Sequence, residues 1–217
     1  MKTLSAIVFD LDGTLIDSRG DIVRSCNVAL RATGRAALPA AVVESLVGEG
    51  SRSLVARAAG LAETEPAVDA ILAAFLADYL DHPVEFTTLL PGVLGALDAL
   101  AGWPLAVCTN KARGVTLRLL DELKIRSRFA SVIAGGDTPD RKPSAGPVLA
   151  ALAGLGAAPE RAILVGDSPV DVAAGRAAGV FVVAIPGPFV APAVLAAAGP
   201  DLMLSSMDQL AGWARGG

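Results

Sequence analysis

Short apolar runs rich in Val and Ile recur along the chain at residues 6–9, 105–108, 131–134, 162–165 and 180–185, and most of them close on a polar cluster. Runs of this length without polar alternation read as strands buried on both faces. Between most of them lie Ala- and Leu-rich stretches of helical length, at 93–100, 115–123, 147–153 and 170–178. Strand alternating with helix predicts an α/β fold with a doubly wound parallel sheet. In such sheets ligands bind outside the carboxyl ends of the strands. The polar residues that close the runs are therefore expected to meet in one crevice.

One interval breaks the alternation. From residue 18 to 82 there is no strand signal, only helical patches at 22–32, 40–46, 53–59 and 66–80, punctuated by Gly34, Gly48, Gly50 and Gly60. The expected division is an α/β core of residues 1–17 and 83–217 with an all-helical insert at 18–82. His82, beside Pro83 at the exit of the insert, reads as a surface linker residue, and Trp103 and Trp213 as packing residues at helix ends.

Bulk properties narrow the chemistry. The chain of 217 residues is 53% hydrophobic but only 4% aromatic, a balance that suits tight helix-on-sheet packing by Ala, Val and Leu. A formal charge of −4 with no basic run offers nothing to a phosphate backbone, so nucleic acid is not expected as a partner. Cys26 and Cys108 lie far apart without metal-ligand spacing, which argues against a disulfide framework or a zinc site. The first apolar stretch is too short for a membrane span or a signal peptide, and the expected location is cytoplasmic.

The first strand ends Phe9-Asp10-Leu11-Asp12-Gly13-Thr14. Two carboxylates two residues apart at a strand end face the same way, and such a pair is sustainable only with a cation or with one member protonated. Asp10 can then attack phosphorus as an anion. Asp12, held as an acid, can protonate the departing oxygen and later deprotonate the hydrolytic water. Gly13 lets backbone approach a substrate, and Thr14 supplies donors near the transferring group. The second loop, Thr109-Asn110-Lys111, offers hydroxyl and amide donors for phosphoryl oxygens. In the third, Lys142 beside Pro143 can hold a positive charge over the site.

The fourth loop, Gly166-Asp167-Ser168-Pro169-Val170-Asp171, sets two further carboxylates one helical turn apart. Magnesium takes hard oxygens and keeps several waters. Asp10, the carbonyl of Asp12, Asp167 and a phosphate oxygen would suffice, with Asp171 behind them fixing Lys142 or a metal-bound water. The charge sum sets four carboxylates against one magnesium and Lys142, and a protonated Asp12 would balance it.

These loops, in this order and spacing, resemble the haloacid dehalogenase-like superfamily of phosphotransferases. The matching residues are Asp10-x-Asp12-Gly13-Thr14, Thr109-Asn110, Lys142-Pro143 and Gly166-Asp167-Ser168-x-x-Asp171. The resemblance covers essentially the whole chain, with the insert at 18–82 in the place of that superfamily's helical cap. Within it, Thr109-Asn110-Lys111, Gly135-Gly136-Asp137 ahead of Arg141-Lys142-Pro143, and Val165-Gly166-Asp167-Ser168 look most like the phosphoglycolate phosphatases. The resemblance implies a magnesium-dependent phosphatase acting on a small phosphorylated metabolite, with 2-phosphoglycolate as the expected substrate.

Competing readings are another metabolite phosphatase, a sugar-phosphate mutase or a dehalogenase on the same scaffold, and a binding protein without turnover. A dehalogenase would not need Asp12, because halide leaves without a proton. A core that handles only the phosphoryl group cannot discriminate among monoesters, so specificity is expected from the insert. There Gly48 to Ser53 runs from a glycine turn into a helix start, and Arg52 is the expected reader of a substrate carboxylate.

Overall fold

The computed structural model describes residues 4–216, so residues 1–3 and 217 of the expected core lie outside the described residues. Strand β1 (Ala6–Phe9) and strand β2 (Ile16–Asp17) are followed by helices α1 (Arg19–Ala32), α2 (Ala40–Glu44), α3 (Ser51–Ala59) and α4 (Ala67–Asp81). The chain then alternates through β3 (Thr88–Leu89), α5 (Val93–Ala99), β4 (Leu105–Ala112), α6 (Arg113–Glu122), β5 (Ser131–Gly135), α7 (Gly146–Leu155), β6 (Ala162–Gly166), α8 (Pro169–Ala178) and β7 (Phe181–Ala184). Helix α9 (Pro192–Ala197), strand β8 (Leu202–Met203) and helix α10 (Asp208–Gly216) complete it.

The main sheet is wholly parallel, in the order β5-β4-β1-β6-β7-β8. The chain builds outward from β1 to β4 and β5, then returns to β1's other side for β6, β7 and β8. That reversal makes the carboxyl end of β1 the switch point, where a crevice opens between diverging loops.

The alternation of residues along β1 explains the layering. Ala6 and Val8 face a tightly spaced layer with Val148, Ala151 and Leu152 of α7 and Ala174 and Ala178 of α8. Ile7 and Phe9 face the opposite layer, with Val93 and Leu97 of α5, Leu119 and Leu120 of α6 and Leu210 of α10. Small residues set the spacing of helix to sheet. A Cβ on Gly175 of α8 would come within 2.4 Å of the Val182 side chain, so only glycine lets the helix sit this close.

The 18–82 stretch contains α1–α4 and no strand beyond the end of β2, and α3 stops where Gly60 adopts a left-handed φ of 69°. Where the chain leaves and re-enters the sheet region, β2 and β3 form an antiparallel pair with Ile16 opposite Leu89. Beside it the buried Asp21 carboxylate accepts from Phe86 N (3.0 Å), Thr87 N (2.7 Å) and Thr87 Oγ1 (2.7 Å), tying the first turn of α1 to the returning chain. His82 is exposed and its Nδ1 lies 3.0 Å from Glu85 Oε1. Trp213 stacks on Phe181 at 5.7 Å. Among the described residues no helix is long and apolar enough to cross a membrane.

Candidate active site

Asp10 follows the last residue of β1, and its N–H still reaches the sheet, donating to Val165 O at 2.9 Å. The chain then turns sharply. Leu11 and Leu15 are fully buried anchors, Leu11 O accepts from the N–H groups of Leu15 and Ile16, and Gly13 takes a φ of 87°. A Cβ on Gly13 would fall 2.2 Å from Asp167 Oδ2, so glycine is required both by the turn and by the neighbouring carboxylate. This turn carries Asp12 and Thr14 back over the strand end.

The four predicted loops converge. Asp10, Asp12, Thr109, Asn110, Lys111, Lys142, Asp167 and Asp171 line one cleft of about 60 Å³. Lys142 is buried, and its Nζ donates to Asp10 Oδ1 at 2.7 Å and to Asp171 Oδ1 at 2.6 Å. Burial alone would lower the Lys142 pKa, but Asp10 and Asp171 outweigh it and hold the ammonium above its ordinary value. Asp171 is spoken for on both oxygens, since Oδ2 accepts from Ser168 Oγ (2.6 Å) and Ser168 N (3.2 Å) in a capping box that starts α8. It braces Lys142 from behind.

Burial, partly opposed by Lys142, raises the Asp10 carboxyl to about 7, with Asp171 and Asp12 adding to the rise. Burial likewise pushes Asp167 well above the carboxylate range, helped by Asp171 and Asp10. Asp167 Oδ1 accepts from Thr14 Oγ1 at 3.2 Å, but Asp167 Oδ2 is buried without a hydrogen-bond partner. Asp10, Asp167 and Asp171 each present an oxygen within 4.8 Å of the others. Because the oxygens of Asp171 are already bonded, Asp10 and Asp167 are the carboxylates with capacity to spare. Hard oxygens, an orphaned acceptor and glycines packed against it fit a divalent cation.

Asp12 is held differently from the sequence expectation. Ser18 Oγ donates to its Oδ1 at 2.6 Å, and Lys111 Nζ reaches Oδ1 and Oδ2 at 3.0 and 3.2 Å. Lys111 had no role in the sequence argument, which looked to a protonated Asp12 for charge balance. Lys111 adds a second buried ammonium group, beside Lys142, to the four carboxylates. The signal that could have found Lys111 is its place in the same loop as Thr109, one strand-end residue further on.

Thr109 lines the cleft, with its Oγ1 accepting from Lys111 N at 3.2 Å and its hydroxyl hydrogen left to donate. The Asn110 side chain has no donor left for phosphate. Its amide hydrogens go to Gly48 O (3.0 Å) and Lys142 O (2.9 Å), and its Oδ1 accepts from Lys142 N (2.9 Å). It braces the Lys142 loop against the helical segment.

Arg52 is not brought to the cleft. Its guanidinium bonds Glu63 O (2.9 Å) and Asp69 Oδ1 (2.8 Å) and lines a wider groove beside Leu72, Pro139 and Arg141. The helical face of the cleft is instead Ile22, Val47, Leu54 and Phe75, with Gly50 and Ser51 at the uncapped start of α3. Phe189 and Val190, after β7, close another side; no polar cluster marked that loop in the sequence. Behind the site, burial pushes the Cys108 thiol up to about 12, so it stays a neutral packing group.

A strand-end carboxylate beside a buried lysine thus sits at the switch point of a doubly wound sheet, facing the helices of the 18–82 stretch. The chain matches the family described as haloacid dehalogenase-like hydrolase over residues 7–185. It belongs to that family. It is 42% identical over 187 residues to a phosphoglycolate phosphatase of Rhodospirillum rubrum, covering 82% of this chain and 78% of the relative. A phosphoglycolate phosphatase of Chromobacterium violaceum is 38% identical, with 97% and 96% covered. Among solved structures, CbbY from Rhodobacter sphaeroides in complex with phosphate superposes with a TM-score of 0.82 at 27% identity, covering 95% of this chain and 96% of that one. With such relatives the chain is a phosphoric monoester hydrolase.

Proposed function

We propose that this chain hydrolyses 2-phosphoglycolate to glycolate and phosphate through an aspartyl-phosphate on Asp10. The observation that carries the reading is the arrangement of Asp10 on Lys142 with Asp12 in the same small cleft; the names of the two bacterial relatives support the substrate. An Asp10 oxygen bonds to phosphorus as the bond to the leaving oxygen breaks, and Asp12 delivers a proton to that oxygen. In the second half, water bonds to phosphorus, the electron pair of the acyl phosphate bond returns to Asp10, and Asp12 takes the water's proton. Lys142 and Thr109 hold the phosphoryl oxygens throughout, whereas the Thr14 hydroxyl is already given to Asp167. Asp10, Asp167 and the carbonyl of Asp12 would hold magnesium, with Asp171 behind them. Bound there, it would supply positive charge against the phosphoryl oxygens.

The helical stretch 18–82 acts in this reading as a cap over the core of residues 1–17 and 83–217. Its apolar lining suits a substrate no larger than a few atoms beyond the phosphate, and the N–H groups opening α3 suit a carboxylate. Such a water-soluble metabolite agrees with a cytoplasmic location.

The test is a panel of monoesters with magnesium: phosphoglycolate, hexose phosphates and an aryl phosphate. Phosphoglycolate is expected to give the highest kcat/KM, and Asp10→Asn to fold normally while forming no acid-stable phosphoenzyme. Preference for a sugar phosphate would move the substrate assignment; turnover by Asp10→Asn at the wild-type rate would remove the nucleophile.

A further inference from the structure

Lys111 is the buried cation that the charge argument from sequence left out, and its surroundings come from two parts of the chain. The ammonium lies against both oxygens of Asp12 on one side, and 4.4 Å from the centroid of the Tyr79 ring on the other. Tyr79 belongs to α4 and is itself almost wholly buried. An ammonium removed from water is costly unless its charge is matched. Here a carboxylate matches it from the sheet edge, and an aromatic face meets it from the helical segment.

Every side-chain group bonded to Asp12 is a donor: the Ser18 hydroxyl and the Lys111 ammonium. Donors on both oxygens fix the orientation of the carboxylate. In the reaction proposed above, that orientation is used when water attacks the acyl phosphate. The water oxygen bonds to phosphorus, the bond from phosphorus to Asp10 breaks with its electron pair returning to that carboxylate, and one water proton passes to Asp12.

We propose that Lys111, seated by the ring of Tyr79, is a positioning residue that orients Asp12 for its proton transfer in the hydrolytic half-reaction. That half-reaction thereby depends on α4 lying over the sheet edge. The inference rests on the phosphatase reading and adds to it a division of labour between the two lysines. Lys142 bonds Asp10, whereas Lys111 bonds Asp12.

The division can be read with p-nitrophenyl phosphate, whose leaving group needs no proton, so that forming the phosphoenzyme is insensitive to Asp12. Lys111→Met is expected to lose about tenfold or more in kcat while kcat/KM stays within about threefold. The fraction of enzyme trapped as phosphoenzyme by acid quench at saturating substrate should rise. Tyr79→Leu should move the same partition in the same direction by a smaller factor, and Tyr79→Phe, which keeps the ring face, should restore the wild-type partition. Equal losses in kcat and kcat/KM with no rise in phosphoenzyme would overturn the proposal. Should Lys111→Met not fold, the two Tyr79 variants decide, and an unchanged partition in both overturns it. A wild-type enzyme that neither turns over nor phosphorylates would bring down the phosphatase reading itself, an outcome distinct from the others.

Discussion

Glu63 and Arg141 are joined by two N–H···O bonds of 3.0 and 2.8 Å, and through them the turn between α3 and α4 grips the residue next to Lys142. Arg141 and Glu63 both remain partly exposed, so the pair adds little to folding, in the range of about 0–1 kcal/mol. Its geometry is nonetheless the bidentate kind that fixes orientation. Glu63→Ala is therefore expected to leave the melting temperature within about 3 °C of wild type. It should raise KM roughly two- to fivefold, because the helical segment is held less firmly over the cleft. Raising the salt concentration should shrink the difference between wild type and variant. An unchanged KM at low salt would show that the pair contributes nothing to closure.

Arg52 gives the second prediction, and it reverses the sequence expectation. A guanidinium engaged by Asp69 and the Glu63 carbonyl, facing the wider groove, is in no position to read a carboxylate in the aspartate cleft. Arg52→Ala should change kcat/KM for phosphoglycolate and for an aryl phosphate by the same small factor, within about twofold. A selective loss of tenfold or more on phosphoglycolate would show that the side chain leaves its partners when substrate binds.

How far the site was legible follows from which interactions are local. Asp10, Asp12, Lys142 and Asp167 stood out because strand ends in a doubly wound sheet meet by topology, and strand ends can be read from apolar runs. The four helices of the 18–82 stretch were likewise visible, since glycine and proline punctuate them and no Val/Ile run competes. What escaped depends on contacts between distant segments. The two-residue strands β2 and β3 carry no periodicity; they exist because residues 71 and 73 positions apart pair where the chain crosses twice. The union of Lys111 with Asp12 and Tyr79 spans three separate elements. Asn110 was read as a phosphate donor because its type permits that role. Only the positions of Gly48 and Lys142 reveal that its amide is already fully bonded.

The pH dependence of stability gives the last prediction, with a readout independent of turnover. In the metal-free protein the carboxyls of Asp10, at about 7, and Asp167 lie above their unfolded value of 3.8, chiefly through burial. Between those limits the native state binds more protons than the unfolded chain, so stability falls as pH rises from about 4 to about 7. Lys142 does not oppose this trend. Its raised value contributes stability that is fully present below 10.5 and is lost only as pH rises further into the alkaline range. A divalent cation bound by Asp10 and Asp167 would compensate both charges, and its effect should grow as they ionise. Melting curves in chelator are expected to shift down between about pH 5 and pH 8, and magnesium at about a hundred times its dissociation constant to restore roughly 5–10 °C at the upper end. Asp167→Asn removes one of the two charges, so it should melt higher than wild type in chelator at pH 8 and gain little from magnesium. Parallel curves for wild type with and without magnesium would mean that the cation is not held by these two carboxylates.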